Sequence, residues 1–120
     1  MRLRHLVITT AVAALALGQA LPAQASTLIQ GRSTACSSTN HWSPSSVSVG
    51  KGTTVVWKSI CGKHTVTSYG GNWSKDTTIG KGQSTSRKFP AGGTFRFRCR
   101  FHSTLSNGAC SGMCGRVRVG

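Results

Sequence analysis

The chain has 120 residues, of which 15 are Lys or Arg and one, Asp76, is acidic, for a formal charge of +14 at pH 7. A single acid excludes chemistry that needs a pair of carboxylates, and neither a Ser-His-Asp order nor a phosphate-binding glycine loop is present. So basic a chain favours acidic proteins or anionic surfaces as partners.

The N-terminus has a short basic start (Arg2, Arg4, His5), an apolar run from Leu6 to Leu17 and a small-residue segment ending Ala23-Gln24-Ala25. This is the layout of a secretory signal peptide over 1–25, with cleavage after Ala25. At about 12 residues, the run is too short for a transmembrane helix. Cleavage leaves one domain, 26–120, and takes the formal charge from +14 to +12. The polar stretch 26–38 reads as a partly flexible leader.

From there on, short alternating runs recur between Gly, Ser, Pro and Asn clusters: "SVSVG", "TTVVWK", "HTVTSY", "STSRKF", "GTFRFRCRF" and "GRVRVG". Such spacing, rich in β-branched and aromatic residues, predicts an all-β sandwich or barrel. In the clearest run, Phe95, Phe97, Cys99 and Phe101 share one face, to be buried, and Arg96, Arg98 and Arg100 share the other. Trp42, Trp57 and Trp73 read as core and rim packing.

Chemistry gathers where the Cys99 strand ends. Cys99 and His102 are two residues apart, Met113 lies beyond, and His64 starts another strand in "CGKHTVTSY". A thiolate, two imidazoles and a distant thioether are the ligands of a blue-copper centre, in which the soft sulfurs stabilise Cu(I) and the imidazoles suit both oxidation states. Structural zinc held by Cys99, His102, Cys110 and Cys114 is the sharpest rival, but it leaves His64 and Met113 without roles. The Cys-x-x-Cys-His of haem attachment is absent. His41, in a polar loop, reads as a bystander.

These motifs resemble the cupredoxins, the blue-copper family of plastocyanin, amicyanin, pseudoazurin and azurin. "FRCRFH" is similar to the family's aromatic-x-Cys-x-x-His and "GMCGRV" to its Gly-Met-x-Gly-x-Val, and the likeness runs from "WSPSSVSVGKGTTVVWK" to the last strand. The resemblance implies a Greek-key β-sandwich with one copper at one end, held by His64, Cys99, His102 and Met113. Two features depart from the pattern: ten residues separate His102 from Met113, a longer loop than in the small members, and Thr65 stands where asparagine is common.

With Cys99 on copper, four cysteines remain for two disulfides. Cys36–Cys61 with Cys110–Cys114 is the expected pairing; 36–110 with 61–114 and 36–114 with 61–110 stay open. The implied function is single-electron transfer between redox partners by a secreted, non-enzymatic, monomeric protein. In the family the loop histidine, here His102, meets the surface through an apolar patch, for which Phe101 and Leu105 are the residues at hand. The charge would steer an acidic redox partner or hold the protein on an anionic envelope surface, and export argues against nucleic acid. Two other roles compete: envelope copper sequestration or delivery without electron transport, and adhesion to polyanionic polymers.

Overall fold

The structure, a computed structural model, describes residues 25–120; apart from Ala25, the expected signal segment lies outside the described residues. Nine strands and one short 3-10 turn follow in order: β1 Ser26–Arg32, the turn Thr34–Cys36, β2 His41–Ser43, β3 Ser46–Val49, β4 Thr53–Ser59, β5 His64–Tyr69, β6 Asp76–Ile79, β7 Ser84–Phe89, β8 Gly93–Ser106 and β9 Ala109–Val119. They form two sheets, β2-β1-β4-β7 and β3-β9-β8-β5-β6, packed as the expected sandwich.

Alternation explains the burial. In β4, Thr53, Val55, Trp57 and Ser59 point inward, and the strand pairs on both edges, with β1 in parallel and β7 antiparallel. From the facing sheet, β8 contributes Phe97 and β9 contributes Val117 and Val119. Trp57 is fully buried, with the Phe97 ring 5.2 Å away and the Trp73 ring stacked at 6.2 Å. Each such side chain contributes about 1.5–3 kcal/mol of burial, so this aromatic cluster is the main cohesive element between the sheets.

Three expectations change. The segment expected as a leader begins with β1, which lies between β2 and β4 and buries Ile29 completely. Its alternation is hidden from sequence reading because its outward positions include Leu28 and its inward ones Gly31. The ten residues between His102 and Met113 are no loose loop: β8 runs on to Ser106 and turns back through Asn107-Gly108 into β9. Both turn residues have positive φ, 49° and 77°, as a two-residue hairpin matched to strand twist requires. Phe101 does not share the buried face of Phe97 and Cys99; it is 50% exposed. Pairing of β8 with β9 stops at Arg98↔Cys114 and resumes at Ser103↔Gly112, so residues 99–102 bulge opposite Met113 alone and the alternation breaks there.

Candidate metal centre

That bulge sits against the start of β5. His64 follows Gly62, whose φ of +82° turns the chain into the strand. The imidazole is completely buried beside Trp42, with ring centroids 5.7 Å apart. Gly31 makes the room: a Cβ there would come within 2.9 Å of His64 Cδ2. His64 Nε2 lies 2.8 Å from the Cys61 carbonyl oxygen. A carbonyl only accepts, so Nε2 carries the proton and Nδ1 keeps a free lone pair. Burial pushes the His64 pKa below the ordinary imidazole value, opposed by the Cys61 hydrogen bond. A neutral ring with one bare nitrogen is the form a metal ion takes up.

That nitrogen faces sulfur. Cys99 is buried and is the free cysteine, with Sγ 3.8 Å from His64 Nδ1 and 3.4 Å from His102 Nδ1. The three donor atoms all lie within 4.8 Å of one another, and theirs is the one such group among the described residues. A nitrogen and a sulfur held about 2.0–2.3 Å from one ion in a trigonal plane stand about 3.7–3.8 Å apart, which the His64 separation meets and the His102 separation falls slightly short of. Met113, fully buried and in the same core cluster as Cys99, is the β9 residue opposite the bulge.

The surroundings fix these side chains through the backbone. The Thr65 N–H donates to Cys99 Sγ at 3.3 Å, and Thr65 Oγ1 accepts from the Arg100 N–H at 2.8 Å. Thr65 therefore binds β5 to both sides of the Cys99–Arg100 peptide. The Ser103 hydroxyl donates to the Cys99 carbonyl. On the outer side, His102 is half-buried, with the Phe101 ring 6.4 Å away. Phe101 and Leu105 are exposed, and Lys63 Nζ and the Arg100 guanidinium lie 6.0 and 5.9 Å from the Phe101 ring centre.

The disulfides are Cys36–Cys61 and Cys110–Cys114, the expected pairing. The second closes off the zinc alternative, since it consumes two of the required thiolates. Cys110 and Cys114 have Cα atoms only 6.2 Å apart, whereas four residues of regular strand span about 13 Å. β9 is therefore folded sharply between them, at Gly112 with φ +99°, where a Cβ would collide with the His102 carbonyl oxygen. His41 is elsewhere, on β2, with Nδ1 2.7 Å from the Thr39 carbonyl oxygen. Sequence reading missed the Cys61 carbonyl, Ser103, Gly31 and Gly112; only the hairpin carried a readable signal, the Asn-Gly pair.

No protein-family model matches the chain, and no curated protein matches it in sequence. Solved structures do match in fold. A purple cupredoxin from Nitrosopumilus maritimus superposes with a TM-score of 0.58 at 19% identity, over 81% of this chain and 100% of that one. A reduced amicyanin variant gives 0.61 at 20% identity, over 85% and 87%. Pseudoazurin from Methylobacterium extorquens gives 0.60 at 20%, over 79% and 75%. The chain has the cupredoxin fold.

Proposed function

We propose that this protein is an exported mononuclear copper protein that carries single electrons. The observation that carries the reading is the convergence of His64 Nδ1, Cys99 Sγ and His102 Nδ1 on one point within 4.8 Å, in a cupredoxin sandwich. In this reading the three atoms would hold the copper, with the buried Met113 opposite the bulge as the fourth candidate donor. Bound there, copper supplies a one-electron couple between Cu(I) and Cu(II).

The chain's own residues do the rest. The Cys61 carbonyl holds the His64 ring in the tautomer that leaves Nδ1 bare, and the Thr65 N–H donates to the sulfur and fixes its position. Burial of His64, Cys99 and Met113 keeps water away and limits rearrangement between oxidation states. His102 is the ligand nearest solvent, and exposed Phe101 beside it offers an apolar contact through which an electron passes to a partner. With its ligand positions filled by side chains the centre has no place for a substrate, so the role is transfer and not catalysis.

Export rests on the signal-like residues 1–25, and β1 starts at Ser26, so cleavage after Ala25 leaves every strand intact. The protein then acts outside the cytoplasm as a monomer, with an acidic redox partner drawn in by the positive charge. The visible and EPR spectra of the copper-loaded protein test the assignment. An intense blue colour with narrow copper hyperfine splitting, lost in Cys99→Ser, is the expected result. A colourless one-to-one Cu(II) adduct refutes it, and rapid copper hand-off to an apo-acceptor without reversible voltammetry would assign sequestration or delivery instead.

A further inference from the structure

The outer face of the five-stranded sheet is a second place where chemistry is concentrated. Inward positions on β8 and β9 belong to Phe97, Cys99, Met113, Val117 and Val119, so the alternate positions Arg96, Arg98, Arg116 and Arg118 stand on the outside. The ladder sets Arg96 directly opposite Arg116, with Tyr69 next to Arg96 on β5 and Ser46 next to Arg116 on β3. Arg118 follows one step along β9, opposite Thr94, and Arg98 one step along β8, opposite Thr67 and Cys114.

Like charges directly opposite one another weaken a sheet, and the acid on this face, Asp76, stands across Thr67 from Arg98 and not beside the Arg96–Arg116 pair. The one ion pair among the described residues is Arg100–Asp76, at 3.1 Å, so Asp76 is already engaged. Arg116 Nε donates to Ser46 Oγ at 3.2 Å, which orients that guanidinium without neutralising it, while Arg98 donates to Ser103 Oγ at 3.2 Å and also feels the Asp76 carboxylate. Between the opposed arginines lies a depression of about 240 Å³, lined by Ser45, Ser46, Tyr69, Arg96, Cys114 and Arg116, among others.

We propose that this depression is an anion site and the centre of a docking face for a linear phosphate polymer. Two guanidinium forks and a phenol around one hollow match the donors that a phosphate oxygen set accepts. Alternate residues of a strand repeat about every 6.7 Å, so the face offers two adjacent rows of positive charge at a near-constant spacing. A flexible chain of repeated phosphates can follow both rows, whereas a folded acidic protein would need carboxylates prearranged to the same repeat. The face is the flank of the sandwich, and His102 and Phe101 lie in the bulge at its end. A polymer held here leaves them uncovered, so the copper protein would be tethered and still able to meet a redox partner.

The test is binding of long-chain inorganic polyphosphate to the protein, metal-free and copper-loaded, measured across a range of NaCl concentrations. Arg96→Gln with Arg116→Gln is expected to weaken binding at least tenfold. It should also reduce the slope of log K against log salt by about 1.5, on the order of 0.7–0.9 per lost phosphate contact. Lys58→Gln with Lys88→Gln removes the same charge from the four-stranded sheet and is expected to leave the slope almost unchanged. The arginine variant should unfold no earlier than the parent, because it removes a like-charge pair. Arg96→Lys with Arg116→Lys preserves charge and should lose affinity but keep the slope. Equal losses in the glutamine pairs would reduce the effect to net charge and overturn the site. Parent-like binding by the lysine pair, or equally tight arginine-dependent binding of polyglutamate, would overturn the phosphate assignment. The metal state should not matter, so a failure here leaves the copper reading standing, and the converse holds.

Discussion

Thr65→Val separates the shape of the residue behind the sulfur from its hydrogen bonding. Thr65 is 0% exposed; its N–H donates to Cys99 Sγ at 3.3 Å, and its Oγ1 accepts from the Arg100 N–H at 2.8 Å. Valine keeps the size, the β-branch and the N–H, and removes only the oxygen. The Arg100 N–H, within the bulge, then loses its acceptor, and the Thr67 hydroxyl keeps only Asp76. Loss of this part-buried hydrogen bond costs about 1–2 kcal/mol, which for a domain of this size lowers Tm by about 4–16 °C. Urea titration of the metal-free protein measures the loss without any contribution from the ion. Thr65→Ser, which restores the oxygen, should recover most of it. In the copper-loaded protein the valine variant should also shift the visible band, because residues 99–102 lose the tie that sets the sulfur's position. A valine variant within about 0.5 kcal/mol of the parent would show that this hydrogen bond does not hold the bulge in place, and the account of Thr65 would fail.

Other expectations follow from the same site. Met113→Leu should keep the blue colour and raise the potential, since loss of a weak axial sulfur disfavours Cu(II); voltammetry reads the shift, and a parent-like potential would place another group on the axis. Replacing Cys36 and Cys61 together by Ser should cost about 3.5 kcal/mol, from the closure entropy of the chain they span. Chemical denaturation of the metal-free variant measures this, and a cost below about 1 kcal/mol would contradict it. The Thr67 hydroxyl, followed by Arg100, holds the Asp76 carboxyl below its usual value of 3.8. A depressed carboxylate pKa stabilises the fold above the unfolded value, and that contribution is lost as pH falls through the folded one. Asp76→Asn should therefore be less stable than the parent at neutral pH, with the difference closing below about pH 4; a gap that persisted into stronger acid would point to a cause other than ionisation.

The sandwich was legible because its strands bury one face and solvate the other. "HTVTSY" and "STSRKF" coincide with β5 and β7 to the residue. β1 escaped because its outward positions include the apolar Leu28 and its inward Gly31 has no side chain to register burial. In β8 the two-residue period was sound up to Cys99 and failed at Phe101, since a bulge is a property of the pairing and not of either strand alone. His64, Cys99 and His102 were readable as ligands from their chemical types. The groups that aim them were not: the Cys61 carbonyl and the Thr65 N–H are backbone atoms that every sequence possesses, and only the fold decides where they point.

The composition explains why backbone atoms have this task. A metal-binding histidine is commonly oriented by a carboxylate or a carbonyl on its other nitrogen, and this chain has a single carboxylate side chain to offer. Asp76 is out of reach, because it is exposed at the start of β6 and paired with Arg100. The carbonyl of Cys61 acts in its place, and a carbonyl in a turn positions a ring only as well as the turn is held. Cys61 is held by its disulfide to Cys36, in the turn after β1. On the other side, β9 folds at Gly112 under the Cys110–Cys114 bridge and brings Met113 across from the bulge. One disulfide steadies the turn that aims His64, and the other steadies the strand opposite Cys99 and His102. In a protein this poor in acids, covalent ties supply the rigidity that ion pairs cannot.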